Sequence, residues 1–207
     1  RIGSQSGAIG PQAMVEMDGV AYWMGNDAHY SYNGRVVKMP CDVHRHVFDN
    51  LNKTQAYKVV AGTNRAYNAL IFFWPDSTGQ ENNRWHDLNL ADSTWTTGGS
   101  PVTLSRTTWI DANALFKTPI GTDGVNFAIY QHDTGTTADG SAISYLLETG
   151  EIELRDENGT PTGDRFTRLK KVVPDFAYVS GQHQLTIYAR GYPYETPVTK
   201  GPYDMTV

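Results

Sequence analysis

Asp42, His44 and His46 form the most compact group in this chain that could hold a metal ion, because carboxylate oxygen and imidazole nitrogen are common ligands. On a helix, however, side chains two positions apart point about 200° away from one another, so a shared ion would require an extended backbone. The surrounding pattern reads as a helix. The three are therefore expected to be solvated polar positions or subunit contacts, with no metal and no cofactor. Glycoside hydrolysis would need two carboxyl groups about 5–10 Å apart, one of them with a raised pKa. Asp87, Asp111, Asp133, Asp139, Glu148, Glu151 and Glu153 supply carboxylates, but none sits in a signature.

Other chemistry-bearing patterns are weaker. Asp76-Ser77-Thr78-Gly79, ahead of Trp85, has the flavour of an Asp-box hairpin turn with its Ser and Asp in the wrong order, and it reads as a plain β-turn. No nucleophile elbow, phosphate-cradling glycine loop or zinc-ligand spacing is present. Gly121-Thr-Asp-Gly124 and Gly135-Thr-Thr-Ala-Asp-Gly140 are too ordinary for calcium loops. Asn52-Lys-Thr54 and Asn158-Gly-Thr160 read as chance matches to the glycosylation acceptor pattern, and Cys41 as a small buried residue. Tyr188, Tyr192, Tyr194 and Tyr203 crowd the C-terminal part, where exposed tyrosines add docking area at low entropic cost.

The elements that would carry these residues are strands. Met14–Met17, Val20–Met24, His29–Tyr32 and Arg35–Met39 are short apolar runs separated by Asp18-Gly19 and Asn33-Gly34, the strongest short-range hairpin signals. A second group has Tyr57–Val60, the continuously apolar Ala69–Trp74, the alternating Arg84–Leu90 and Thr94–Thr96. A third has Thr107–Ile110, Val125–Tyr130 and Ile143–Leu147. Three groups of roughly 45 residues repeat a strand-and-turn layout at about the period of propeller blades. Between the first two, Val43, Val47, Phe48 and Leu51 fall on one face of a helix over about 42–52, with Asp42 as its N-cap. The fold class is thus all-β: antiparallel blades of a partial β-propeller over 1–150, then a smaller antiparallel sheet or sandwich over 151–207. In that second part Pro174 limits its strand to an edge or splits it, and the stretch from Gly191 onward reads as an extended tail.

Composition excludes several classes. The net charge is −5, and no basic cluster exceeds Arg168-Leu-Lys170-Lys171, so the chain cannot neutralise the many phosphates that sequence-independent nucleic-acid binding requires. No apolar run is long enough for a membrane span. One cysteine permits no internal disulfide. Six blades at ~40 residues each would need about 240 residues. With Arg1 rather than Met in first place, the expectation is a piece of a longer parent.

The runs Asp18-Gly-Val-Ala-Tyr-Trp-Met-Gly25, Tyr32-Asn-Gly-Arg-Val-Val-Lys-Met-Pro-Cys41 and Val47-Phe-Asp-Asn-Leu-Asn52 resemble the tail hub or nozzle proteins of short-tailed bacteriophages and related prophages. Asn68–Pro75 leading into Glu81–Trp85, Arg106–Asp111, Asp164-Arg-Phe166 to Pro174-Asp175 and Gly201-Pro-Tyr203 extend the likeness over most of the chain. The resemblance implies a non-enzymatic structural protein of the virion tail, made in the bacterial host cytoplasm. It implies a propeller-containing subunit of a homo-oligomeric ring, a hexamer, that meets other tail and adaptor proteins. DNA would leave through that ring at ejection without being specifically bound, as an acidic wall favours. The rival readings are a carbohydrate-binding or glycan-cleaving propeller, with Trp85 and Trp109 as sugar platforms, and a cellular protein-interaction propeller.

Overall fold

A computed structural model describes residues 6–99, 105–135, 137–138, 141–142, 148, 158, 171–172, 182–192 and 194–205. The described chain is predominantly β and its paired strands are antiparallel. It divides into two compact units, Arg1–Thr134 and Gly135–Val207.

The first unit begins with a four-stranded meander: β1 (Met14–Met17), β2 (Val20–Met24), β3 (His29–Tyr32) and β4 (Val36–Lys38), adjacent in chain order. Asp18 and Gly19 both take positive φ, 53° and 81°, as a two-residue primed turn demands. The Asn33-Gly34 turn is built differently. Tyr32 pairs with Val36, so three residues connect β3 to β4, and Gly34 at φ 104° supplies the left-handed position.

A short helix, α1 (His44–Phe48), follows. It is shorter than its apolar spacing predicts, and its N-cap is Val43, with no side-chain cap, rather than Asp42. Leu51 is still buried, but through an extended bridge to Asp76 instead of a third helical turn.

The second meander contains β5 (Val60–Asn64), β6 (Ala69–Trp74), β7 (Arg84–Asn89) and β8 (Trp95–Gly98). Tyr57 and Lys58, expected as the start of a strand, belong to a 3₁₀ turn (Ala56–Lys58) that delivers the chain into β5. The unbroken apolar run of β6 reflects its central place, with only Ile71 short of full burial. In β7, His86 and Leu88 face inward while the residues between them are partly exposed, which is the period of a half-buried strand.

The third meander is β9 (Thr108–Ile110), β10 (Ile120–Thr122) and β11 (Ile129–Gln131), with β10 central. Most of the predicted strand 125–130 is a turn: Asp123 N–H donates to Ala128 O at 2.9 Å, and the Asp123 carboxylate caps the Val125 N–H at 2.7 Å. Phe127 takes φ 54° and is 90% exposed at its tip. The expected strand at 143–147 lies outside the described residues.

The core lies between the inner faces of the first two meanders and α1. Met17 and Met24 from one side meet Leu70, Phe72, Trp74 and Leu88 from the other, with Val47, Phe48, Leu51 and Val59 closing the seam. Each fully buried side chain of this size contributes about 1.5–3 kcal/mol relative to exposure.

In the second unit, β12 (Thr137–Ala138) pairs with β13 (Ser141–Ala142), and β14 (His183–Ala189) with β15 (Val198–Met205). Part of the expected tail is thus a paired strand. Its register slips between Leu185 and Ile187, opposite Gly201 and Pro202, where proline has no N–H to give a ladder. The strand expected at 151–154 lies outside the described residues, as does the stretch expected as strand over 166–179 apart from 171–172, which are not in a strand.

Candidate functional site

The connection after β5 gathers polar side chains from all three meanders. Thr63 Oγ1 donates to Asp111 Oδ2 at 2.7 Å, and the Arg65 N–H donates to the same oxygen at 3.1 Å. Arg65 Nη1 reaches Asp18 Oδ1 in the β1–β2 turn at 3.1 Å, and Asn64 Nδ2 donates to Asp133 Oδ2, just past β11, at 2.7 Å. Two of the sequence-nominated carboxylates, Asp111 and Asp133, are therefore brought near one another. Both are bound to donors on the β5–β6 turn, so they act as a clasp on that turn.

Backbone placement explains the convergence. A parallel bridge joins Gln12 to Val60, and the Ala61 N–H donates to Gln12 O at 2.8 Å, setting the entry to β1 beside β5. Further along, β5 also meets β9, where Trp109 Nε1 donates to Thr63 O at 2.7 Å. The indole lies across Gly62, where a Cβ would come within 2.1 Å of the Trp109 ring, and packs against Phe73 at 5.3 Å between centroids. The first strand of the second meander thus contacts the first strands of both others.

Tryptophans recur as fasteners to earlier chain. Trp95 Nε1 donates to Pro40 O at 3.1 Å, beyond the end of β4, and Trp23 Nε1 donates to Ser6 O at 2.6 Å. Trp85 lies over its cross-strand partner Gly98, where a Cβ would come within 2.4 Å of the ring. Trp85 and Trp109, the nominated sugar platforms, are thus each committed to packing on a glycine.

The remaining nominated residues are dispersed. His44 Nε2 is 2.8 Å from Asp27 O, and its ring packs on Phe48, whereas His46 meets Trp74 edge-on. Among the described residues no three His, Cys, Asp or Glu side chains are placed to hold a metal ion. Asp87 hydrogen-bonds Thr96, and burial raises its pKa. Asp139, Glu151 and Glu153 lie outside the described residues, and Glu148 is exposed. Asp76 accepts from the Thr78 and Gly79 N–H groups at 3.0 Å each and from Arg84 Nε at 2.9 Å. Burial works to raise its pKa, but the bonds involving Asn83, Thr78 and Arg84 outweigh it and hold the carboxyl well below its usual range. That turn is structural, as its sequence implies. Cys41 is half-buried rather than buried, and burial pushes its thiol up to about 11. Tyr188, Tyr192, Tyr194 and Tyr203 are exposed.

Sequence reasoning missed two buried clusters. Arg106, 3% exposed, donates through Nε to His132 Nε2 at 2.8 Å and lies over the Tyr130 ring at 4.6 Å. Burial, followed by the adjacent guanidinium, lowers His132 to about 4, so the ring is a neutral acceptor. The other cluster is a pair: His29 on β3 and His86 on β7 meet Nε2 to Nε2 at 2.8 Å inside the core. Neither has a local motif, and they are 57 residues apart in sequence.

No protein-family model matches the chain, and no curated protein matches it.

Proposed function

We propose that this chain is a non-enzymatic virion component, a subunit of the tail hub or nozzle of a short-tailed phage, whose three meanders are consecutive blades of a partial β-propeller. The observation that carries this reading is the contact of β5 with both β1 and β9. Propeller blades are sheets set around a central channel, so the first strands of successive blades gather near one axis. A residue clasp at the end of β5, reaching into each meander, is what a rigid frame requires.

Charge supports the conduit role. At −5 the chain repels phosphate, so DNA passing through a ring of such subunits would slide without being gripped. The ring is homo-oligomeric, a hexamer, and contacts further tail and adaptor proteins. Among the described residues no helix is long and apolar enough to cross a membrane. Native mass spectrometry together with negative-stain imaging of the protein tests the reading. A six-fold ring with an axial opening supports it, and a monomer at all concentrations overturns it.

A further inference from the structure

His29 and His86 are 1% and 0% exposed, and their ring nitrogens meet across the seam between the first and second meanders. Their surroundings are almost entirely aromatic. Phe48 lies 5.4 Å from His29 between centroids, Phe72 stacks on His86 at 5.2 Å, and Trp95 sits 4.8 Å from His29. The Nδ1 atoms of both rings are buried without a hydrogen-bond partner among the described residues. A single bond therefore links the two rings. With both neutral, one ring donates through Nε2–H and the other accepts, so the acceptor carries its proton on an unpartnered Nδ1.

Such a pair has no stable protonated form in place. A first proton, on the free Nδ1 of the donating ring, would put a charge in an apolar seam, and a second, on the Nε2 of the accepting ring, would leave two donors facing each other at 2.8 Å. The titratable groups that act on the pair from the packed elements are His44 and His46 of α1, which add positive charge on protonation. Asp87, next along β7, belongs to the opposite face of its strand. β6 and β8 present Phe72, Trp74 and Trp95, which carry no charge. Among these elements nothing compensates a proton that arrives.

We infer that the His29–His86 pair is an acid-release catch: protonation of the two rings parts β3 from β7 and opens the first meander away from the second. The inference goes beyond the tail-hub reading and stands or falls independently of it, because it concerns only the seam within the first unit. The catch is closed at neutral pH and opens as pH falls below about 6.5, where an exposed histidine takes up its proton. Two protons taken up only in the open form shift the opening equilibrium by about 10³-fold between pH 7.5 and 5.0, and one proton by about 30-fold.

Amide hydrogen exchange of the full 207-residue chain, corrected for intrinsic rates, measures this directly. Peptides covering β3 and β7 are expected to lose protection steeply between pH 7.5 and 5.0. His86→Phe, which keeps an aromatic ring in the same space, is expected to reduce the dependence to that of one proton, and His29→Phe combined with it to abolish it. Constant protection in β3 and β7 across that range overturns the inference, as does a dependence that survives in the double variant. Should the variants fold poorly, imidazole carbon shifts of the wild-type chain decide the matter. Two rings that stay neutral at pH 7 and titrate together with the loss of β3 and β7 protection support the catch, and two that titrate singly near 6.5 in an intact fold contradict it.

Discussion

Gly62→Ala is the sharpest perturbation of the contact between the second and third meanders. A methyl group there would come within 2.1 Å of Trp109 Cδ1 and 2.7 Å of Cγ, well inside any allowed approach. The indole cannot simply swing away, because its Nε1–H is bonded to Thr63 O and its ring packs against Phe73. Overpacking of this kind costs about 1–3 kcal/mol. Trp109→Phe alone removes the indole hydrogen bond and part of the packing, for about 1–3 kcal/mol as well. Together the two changes should cost less than their sum by at least about 1 kcal/mol, because a phenyl ring, no longer tied to Thr63 O, is free to shift off the methyl group. Urea unfolding followed by far-UV circular dichroism, for the wild type, both single variants and the double variant, closes the cycle. Thermal midpoints should move in step by about 2–4 °C per kcal/mol for a chain of this size. Additive costs, or a Gly62→Ala variant within about 0.5 kcal/mol of wild type, would refute the contact and with it the placement of β9 beside β5.

Four further outcomes follow from the same geometry. Asp76→Ala should destabilise by about 1.5–3 kcal/mol, since it strips acceptors from Thr78, Gly79 and Arg84. Because the folded Asp76 carboxyl is held below its unfolded value, that contribution is present above about pH 4 and fades as pH falls further, so wild type and variant should converge in acid urea titrations. Asn82→Leu should cost about 1–3 kcal/mol in the same assay, because buried Asn82 Nδ2 serves Lys58 O at 2.7 Å and Arg106 O at 2.8 Å. A labelled DNA duplex at about 0.1 M salt should show no saturable anisotropy change at protein concentrations below about 10⁻⁴ M, and tighter binding would contradict the conduit reading. A glycan array should stay blank, and a signal lost on Trp85→Ala would revive the sugar-binding alternative.

Local chemistry made much of the first unit legible. Asp18-Gly19 demanded a primed turn, the apolar run 69–74 announced a strand buried on both faces, and the alternation of 84–90 announced one with a single buried face. What misled was chain whose conformation depends on distant partners. β10 has no apolar run to announce it; the strand accepts Gly121 because the Arg106 side chain occupies the space of a Cβ, 2.6 Å from Arg106 Cδ. The helix pattern around Leu51 was a true burial pattern carried by the wrong backbone. The three-way clasp at Arg65 and the His29–His86 pair are products of register across meanders, which no spacing along the chain encodes.

The proposed blade arrangement is tested most directly by an electron cryomicroscopy reconstruction of the protein at side-chain resolution. It should show β1, β5 and β9 as the innermost strands of successive vanes about one axis, with Trp109 lying over Gly62. A reconstruction in which β9 lies away from β5, or in which the meanders face each other as a closed sandwich, would contradict it.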